Sequence, residues 1–539
     1  MLEWNLGFHL ELAAHLHEAH GWDFVYWVGD GPVFGRAVEE RFPGIVFHDT
    51  VDARFGRPPR ALADLVPRVF DEGLAHALAY HETLALKMMD RIDVQESFGY
   101  HERARLYQRL VGWWVALLDR IDPDVLVAPT PPHVHYDYIA YALCRLRGVR
   151  TAMFENGSIP GLLLPVRRFE DGFPEVASAA RRLRDDDDGT SEVELGVKTA
   201  ETLARARGGY VVPHHWAPFR SDEPPALEDP SEPGRLGRML SRLAGSPGLH
   251  ALAERAARHR IPLARRLAAA GRRPPSQPVP GARPISGFYH GRFVAAGEAT
   301  AEEDARHALW VRERMLELRR AYDRVAAPVD LSASYVYLPL HVQPERSTSP
   351  NGGIYDHTEL LIETVARSLP PGWLLYVKEH PSQLAPWQTG ERGRRLGDYA
   401  RFAAIPGVRL VPLDTKPFDL IDRARAVATV TGTSGWEAIA RGVPVLCFGI
   451  AWYQGCDGVF DVRRSEDLTA AIESIAAGAR PTPRGVALFL KAVESVAIRA
   501  FIDEAEREVA QVSDEENVRA LSRALVRMVT EEGGEPTAG

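Results

Sequence analysis

Cysteine is scarce: Cys144, Cys447 and Cys456 are the whole complement of 539 residues, odd in number and without CxxC spacing. Neither a disulfide framework nor a structural zinc site fits that set. Long apolar runs are missing too, since no stretch approaches the ~20 uninterrupted apolar residues that span a bilayer. The N-terminus lacks the basic, apolar, small-residue order of a signal peptide. Positive charge is not in excess, because 64 Lys and Arg stand against 73 Asp and Glu, a net charge of −9. That balance argues against a protein that coats nucleic acid. The Walker A pattern, the GxSxG elbow and HExxH do not occur, and His133 and His135 have no companion ligands, so no metal is expected. What is present is 45% hydrophobic and 25% charged residues, enough for a sizeable core. These figures predict a cytoplasmic α/β protein of about two to four domains.

Residues 1–165 alternate strand-like apolar runs (Phe24–Val28, Gly44–Phe47, Asp124–Ala128, Arg150–Phe154) with helical stretches, among them Tyr138–Arg147. Strand–helix alternation implies parallel βαβ units, hence a Rossmann-like domain. Such domains begin with a strand, yet only Met1–Leu6 precedes the helical run His9–Ala19, so the first strand is either very short or absent. Residues 166–329 lose this rhythm and read as a helical, Pro-rich insert and connector. Alternation resumes over 330–482, a second doubly wound domain, and 483–539 closes the chain with two helices, Val486–Val512 and Glu515–Met528. Two Rossmann-like domains facing a cleft, with terminal helices, form the GT-B plan. Open α/β sheets bind ligands at the carboxyl ends of their strands, which directs attention to the strand-end loops.

Four such loops carry chemistry. Thr431-Gly432-Thr433-Ser434-Gly435-Trp436-Glu437 runs from a strand into a helix, aiming backbone N–H groups and a helix dipole at one spot suited to a phosphate. Ser434 and Glu437 have the spacing of a capping box, which leaves Thr433 and Gly435 to face the ligand. His380-Pro381 ends another strand, where a protonated imidazole can donate to a phosphate oxygen and Pro381 stops the ladder. Glu155-Asn156-Gly157 follows the last clear strand of the first domain, placing a carboxylate at the cleft as a candidate base, or else making an ordinary Asn-Gly turn. His133 and Asp137 lie just upstream, positioned to touch an acceptor, although Asp137 also suits a helix cap. The loop Leu340–Pro350, with Gln343 and Glu345, has the polar density to hold a sugar or nucleotide.

Together these residues resemble the capsule polysaccharide biosynthesis and export family, which includes bacterial β-Kdo transferases; they are also similar to GT-B bacterial sialyltransferases. In those families an acidic-acidic-Gly motif supplies the catalytic carboxylate, and His-Pro and Ser/Thr motifs hold the CMP of the donor. Glu155-Asn156-Gly157, His380-Pro381 and Thr433-Ser434 fall in that chain order, with Asn156 standing where the motif has its second acid. The resemblance implies a GT-B glycosyltransferase that moves a sugar, Kdo or another ulosonic acid from a CMP donor, onto a surface polysaccharide or its lipid-linked precursor. The nucleotide sugar is then a co-substrate, and no further cofactor is expected. Within the same fold the alternatives are a UDP-sugar epimerase or a polyol-phosphate transferase; outside it, a non-catalytic glycan-export or scaffold protein. Arg235–Arg273, rich in arginine among Leu and Ala, suggests contact with an anionic membrane or a lipid-phosphate acceptor, which would place the protein peripherally on the inner face of the cytoplasmic membrane.

Overall fold

The computed structural model describes residues 1–93, 95–208, 301–385 and 390–531. The Arg235–Arg273 stretch and the acidic and Pro-rich segments beside it lie outside the described residues. All described residues fall within one compact unit, which carries two parallel-sheet lobes.

The C-terminal lobe is built on a six-stranded, all-parallel sheet: β6 (Tyr335–Pro339), β7 (Leu374–Lys378), β8 (Val408–Leu410), β9 (Ala426–Thr429), β10 (Val445–Cys447) and β11 (Val459–Asp461). Their spatial order is β11-β10-β9-β6-β7-β8, the doubly wound order in which the winding reverses between β6 and β9. Helices on both faces explain why β9 reads as a short unbroken run, Ala-Val-Ala-Thr, buried at every position. Tyr335 and Tyr376 stack across β6 and β7 with ring centroids 4.3 Å apart. Helix Ala301–Asp323 leads into this lobe, and Pro417–Arg423 begins on a proline whose missing N–H costs nothing at a helix start.

The N-terminal lobe contains β1 (Tyr26–Gly29), β2 (Val46–Asp49), β3 (Val125–Val127), β4 (Arg150–Ile159), β5 (Leu162–Val166) and a late strand, β12 (Ile498–Arg499). The missing first strand is present as a very short one. Leu2 bridges Val28, and its N–H donates to Val127 O at 2.9 Å, so Met1–Glu3 joins β1 to β3. The order is then β2-β1-(Met1–Glu3)-β3-β4, the same doubly wound arrangement, extended by antiparallel β5 and β12.

The structure departs from two sequence expectations here. β4 continues through Asn156 and Gly157 to Ile159, with a register irregularity between Glu155 and Ile159, so those residues form no turn after the strand. The expected helix Val486–Val512 is broken into helix Pro483–Val496, strand β12 and helix Glu504–Ala510. Ile498 finds a pairing partner in Leu163, and Asp503 caps the next helix through Glu506 N, so local and tertiary bonds both favour the break. The last helix, Asp514–Thr530, returns to the N-terminal lobe and packs Leu521 and Leu525 among Phe8, Leu12 and Leu16 of helix Gly7–His20. Asn517 fixes the approach, accepting from Phe501 N at 2.8 Å and donating to Phe501 O at 3.1 Å.

Candidate functional site at the strand ends

The reversal point between β6 and β9 gathers the C-lobe candidates. β6 delivers His341, β9 delivers Thr431–Thr433, and β7, next to β6, delivers His380. Thr431 N donates to His341 Nε2 at 3.2 Å, and Gly432 N donates to Thr429 Oγ1 at 3.1 Å. The helix Thr433–Ala440 then starts with Gly432 as its cap residue and no side-chain cap. The expected capping box is therefore not formed: Ser434 lies inside the first turn, and Glu437 lies further along the helix, where burial pushes its carboxyl up to about 7. The first N–H groups of that helix keep their pull on an anion. Glycine is required at two points. A Cβ on Gly435 would sit 2.3 Å from the Tyr453 hydroxyl, and one on Gly432 would sit 2.9 Å from Thr429 Oγ1. The Tyr453 hydroxyl donates to Gly432 O at 2.7 Å, holding the turn from behind.

His380 is not the protonated group expected. Burial first, then the nearby charges of Lys378 and Arg394, lower it to about 4, and its Nδ1 accepts from Ser382 N at 3.1 Å. The imidazole is neutral with its proton on Nε2, and Pro381 opens the short 3-10 turn Pro381–Leu384 that fixes it. His341, at the start of the Leu340–Pro350 loop and not singled out there, is held lower still, at about 3, by burial and by His380 and Arg394. Both histidines favour the neutral form in the folded protein, so their contribution is complete above the ordinary value of 6.5 and is lost as pH falls toward those lower values. Unfolding by urea at pH 7, 6 and 5 should show stability falling with pH, and a shallower fall in His341→Asn. A parallel fall in both proteins would contradict this assignment.

Beneath His380 lies a buried network. Arg394 Nε donates to Glu379 Oε2 at 2.7 Å, Tyr399 donates to the same oxygen at 2.9 Å, and the Tyr322 hydroxyl accepts from Glu379 N at 3.1 Å. Glu379 Oε1 accepts from His380 N at 2.8 Å, which ties the imidazole to the network. Gln343, expected to meet the donor, is instead committed to the protein. Its amide donates to Asp356 O at 2.6 Å and accepts from Thr358 Oγ1 at 2.8 Å.

The second group sits where the lobes meet. Glu155, on β4, receives a two-pronged grip from Arg346 of the loop after β6: Nη1 to Oε2 at 2.7 Å and Nη2 to Oε1 at 3.2 Å, with both side chains 16% exposed. That loop is pinned to the phosphate-suited turn, because Thr431 Oγ1 donates to Ser347 O at 2.6 Å. Glu345 comes to 4.0 Å from His133 Nε2 across the same junction. His133 is half exposed; desolvation, then the fields of Arg91, Arg346 and Arg54, hold its imidazole well below the usual range. Asp137 is a cap, accepting from His133 N at 2.9 Å and Val134 N at 3.0 Å, and burial with the Glu3 carboxylate raises it to about 7. Asn156 faces away from Glu155 and donates to Asp503 Oδ2 at 3.1 Å, so it does not join the carboxylate at the junction; Gly157 continues the strand. Two further carboxylates of this lobe are engaged by the protein: Tyr141 donates to Glu170, and Asp171 pairs with Arg168 at 3.1 Å.

A separate cavity of about 160 Å3 opens between Lys87, Asp90, Thr358, Arg394 and Arg401. Its cations are already paired, Lys87 with Asp90, Arg394 with Glu379 and Arg401 with Glu359 and Asp398. Among the described residues no three His, Cys, Asp or Glu side chains converge as metal ligands, and no helix is long and apolar enough to cross a membrane.

Residues 307–474, the bulk of the C-terminal lobe, match the family described as capsule polysaccharide biosynthesis protein, so the family resemblance carried by the motifs is met there. The capsule polysaccharide modification protein LipA of Neisseria meningitidis serogroup B is 32% identical over 108 residues, 20% of this chain and 14% of that protein. Its serogroup A counterpart is 31% identical over 105 residues, with the same 20% and 14% coverage. The match thus spans about one seventh of the length of these relatives. Among solved structures, the KpsC beta Kdo 2,7 transferase of Thermosulfurimonas dismutans is similar at 18% identity and a TM-score of 0.23, covering 40% of this chain and 66% of that one. The UDP-GlcNAc 2-epimerase of Neisseria meningitidis, bound to UDP-GlcNAc, aligns at 9% identity and a TM-score of 0.21 over 98% of each chain.

Proposed function

We propose that this protein is a glycosyltransferase of capsule or surface polysaccharide biosynthesis, drawing its sugar from a nucleotide donor that is CMP-linked and carries a ulosonic acid such as Kdo. The observation that carries the reading is the gathering of His380, His341 and the uncapped helix start at Gly432 around the sheet's reversal point, inside the stretch that matches the capsule family. The Nε2–H of a neutral His380 and the N–H groups of Thr433 and Ser434 form a donor set scaled to one phosphate. Arg394, a cation beneath the site, is committed to Glu379. Glu155 at the lobe junction serves as the catalytic carboxylate, and His133 and Glu345 line the acceptor side. The acceptor is a glycan or its lipid-linked precursor, met peripherally at the inner membrane face.

A thermal-shift panel tests this, because a ligand that binds only the folded state raises the unfolding temperature. CMP should protect most, CDP less, and UDP least. Protection by UDP alone would favour the epimerase reading. Protection by CMP without hydrolysis or transfer of a CMP-linked sugar would favour a non-catalytic role.

A further inference from the structure

Arg346 has two connections that no motif announced. Its guanidinium is forked onto Glu155 of the opposite lobe, and its loop is bonded through Ser347 O to Thr431 of the phosphate-suited turn. The fork is a geometric match for a planar carboxylate, and the Glu155 carboxylate fills it. A second cation stands nearby, and the Glu345 carboxylate acts on both. Arg91 comes from the N-terminal lobe, gives Nη2 to Ser349 O at 2.6 Å, and has no acceptor for Nε or Nη1 among the described residues. Asp137 is spent on the helix cap.

We propose that Arg346 is a specificity-determining residue that grips the carboxylate of the donor's acidic sugar, and that Glu155 holds its place until the ligand arrives. This rests on the nucleotide-sugar reading above and deepens it. The sugar of a ulosonic donor carries its carboxylate on the anomeric carbon, next to the phosphate. A guanidinium one residue from Ser347, itself bonded to the phosphate turn, is therefore on the correct side of the reacting centre. When the ligand takes the fork, Glu155 is released from its partner and is free to accept a proton.

The two residues should then act on sugar-acid binding with opposite signs. Titrating free Kdo, which has the carboxylate but no phosphate, should show weakening of about tenfold or more in Arg346→Gln, the usual loss for a charge-assisted pair. Arg346→Lys should recover only part, since an ammonium cannot fork. Glu155→Gln should tighten Kdo severalfold, because the internal competitor is gone. CMP, which has the phosphate but no carboxylate, should bind all four proteins alike; a CMP loss in Arg346→Gln would make the phosphate the gripped group and overturn the assignment. Weakening of Kdo in both the Arg346 and Glu155 variants, no change in either, or no Kdo binding at all would also overturn it, and ligand-free melting of each variant guards against misfolding. CMP protection of the wild type without this Kdo pattern sinks the inference alone, whereas failure of CMP to protect the wild type sinks the nucleotide reading.

Discussion

Glu155→Gln should cut turnover by about 10²–10⁴-fold, the range for a lost acid/base group, while CMP affinity stays nearly intact. The two effects separate because the groups come from different lobes. Glu155 projects from β4 and is gripped by Arg346, whereas His380 and Thr431–Thr433 stand at the ends of β7 and β9. His380→Ala should show the converse, weaker nucleotide binding from the loss of a phosphate contact. Asp137→Asn is the informative control. Its carboxyl, raised to about 7, has the basicity of a general base, yet both oxygens are engaged by backbone N–H groups of the helix start. A fully active Glu155→Gln beside an inactive but folded Asp137→Asn would move the catalytic carboxylate to Asp137.

Arg394→Met should destabilise the protein by about 3–5 kcal/mol, because it strands the Glu379 carboxylate in the core without its counter-charge. Both side chains are at most 1% exposed, so water cannot take the guanidinium's place. Urea unfolding reads the loss, and the double variant Glu379→Gln/Arg394→Met should recover a large part of it, since no buried charge remains. The damage also reaches the candidate site: Glu379 Oε1 holds His380 N at 2.8 Å, so CMP protection should fall with stability. A loss below about 1 kcal/mol, the scale of an exposed pair, would show that this network is not what holds the end of β7.

The parts of the fold that the sequence made legible are those dictated by local pattern. β6, β7, β9 and β10 are buried on both faces, so each appears as an unbroken apolar run ending where the chain turns polar. Met1–Glu3 and Ile498–Arg499 could not be read this way. Each is a two- or three-residue segment made a strand only by neighbours far along the chain, Val28 and Val127 for one and Leu163 for the other. The same division holds at the candidate site. His380 and Thr431–Gly435 announce themselves at strand ends, but the charge state of His380 depends first on burial, then on Lys378 and on Arg394, which the sequence places fourteen residues away. Gln343 and Asp137 look like ligand residues by type and position. What commits them is the Asp356 carbonyl and Thr358 hydroxyl in one case and a helix start in the other. The signal for His341 was available, since it is the second residue past β6, beside the reversal point. The Arg346–Glu155 pair had none, because 191 residues separate its members and only the docking of the lobes joins them.

The central claim is that the reversal point of the C-terminal sheet is a nucleotide site, and a crystal structure of the protein with CMP tests it most directly. The account predicts the phosphate within about 3 Å of His380 Nε2 and of the N–H groups at the start of helix Thr433–Ala440. CMP seated in the cavity between Lys87 and Arg401, or against the N-terminal sheet, would contradict it.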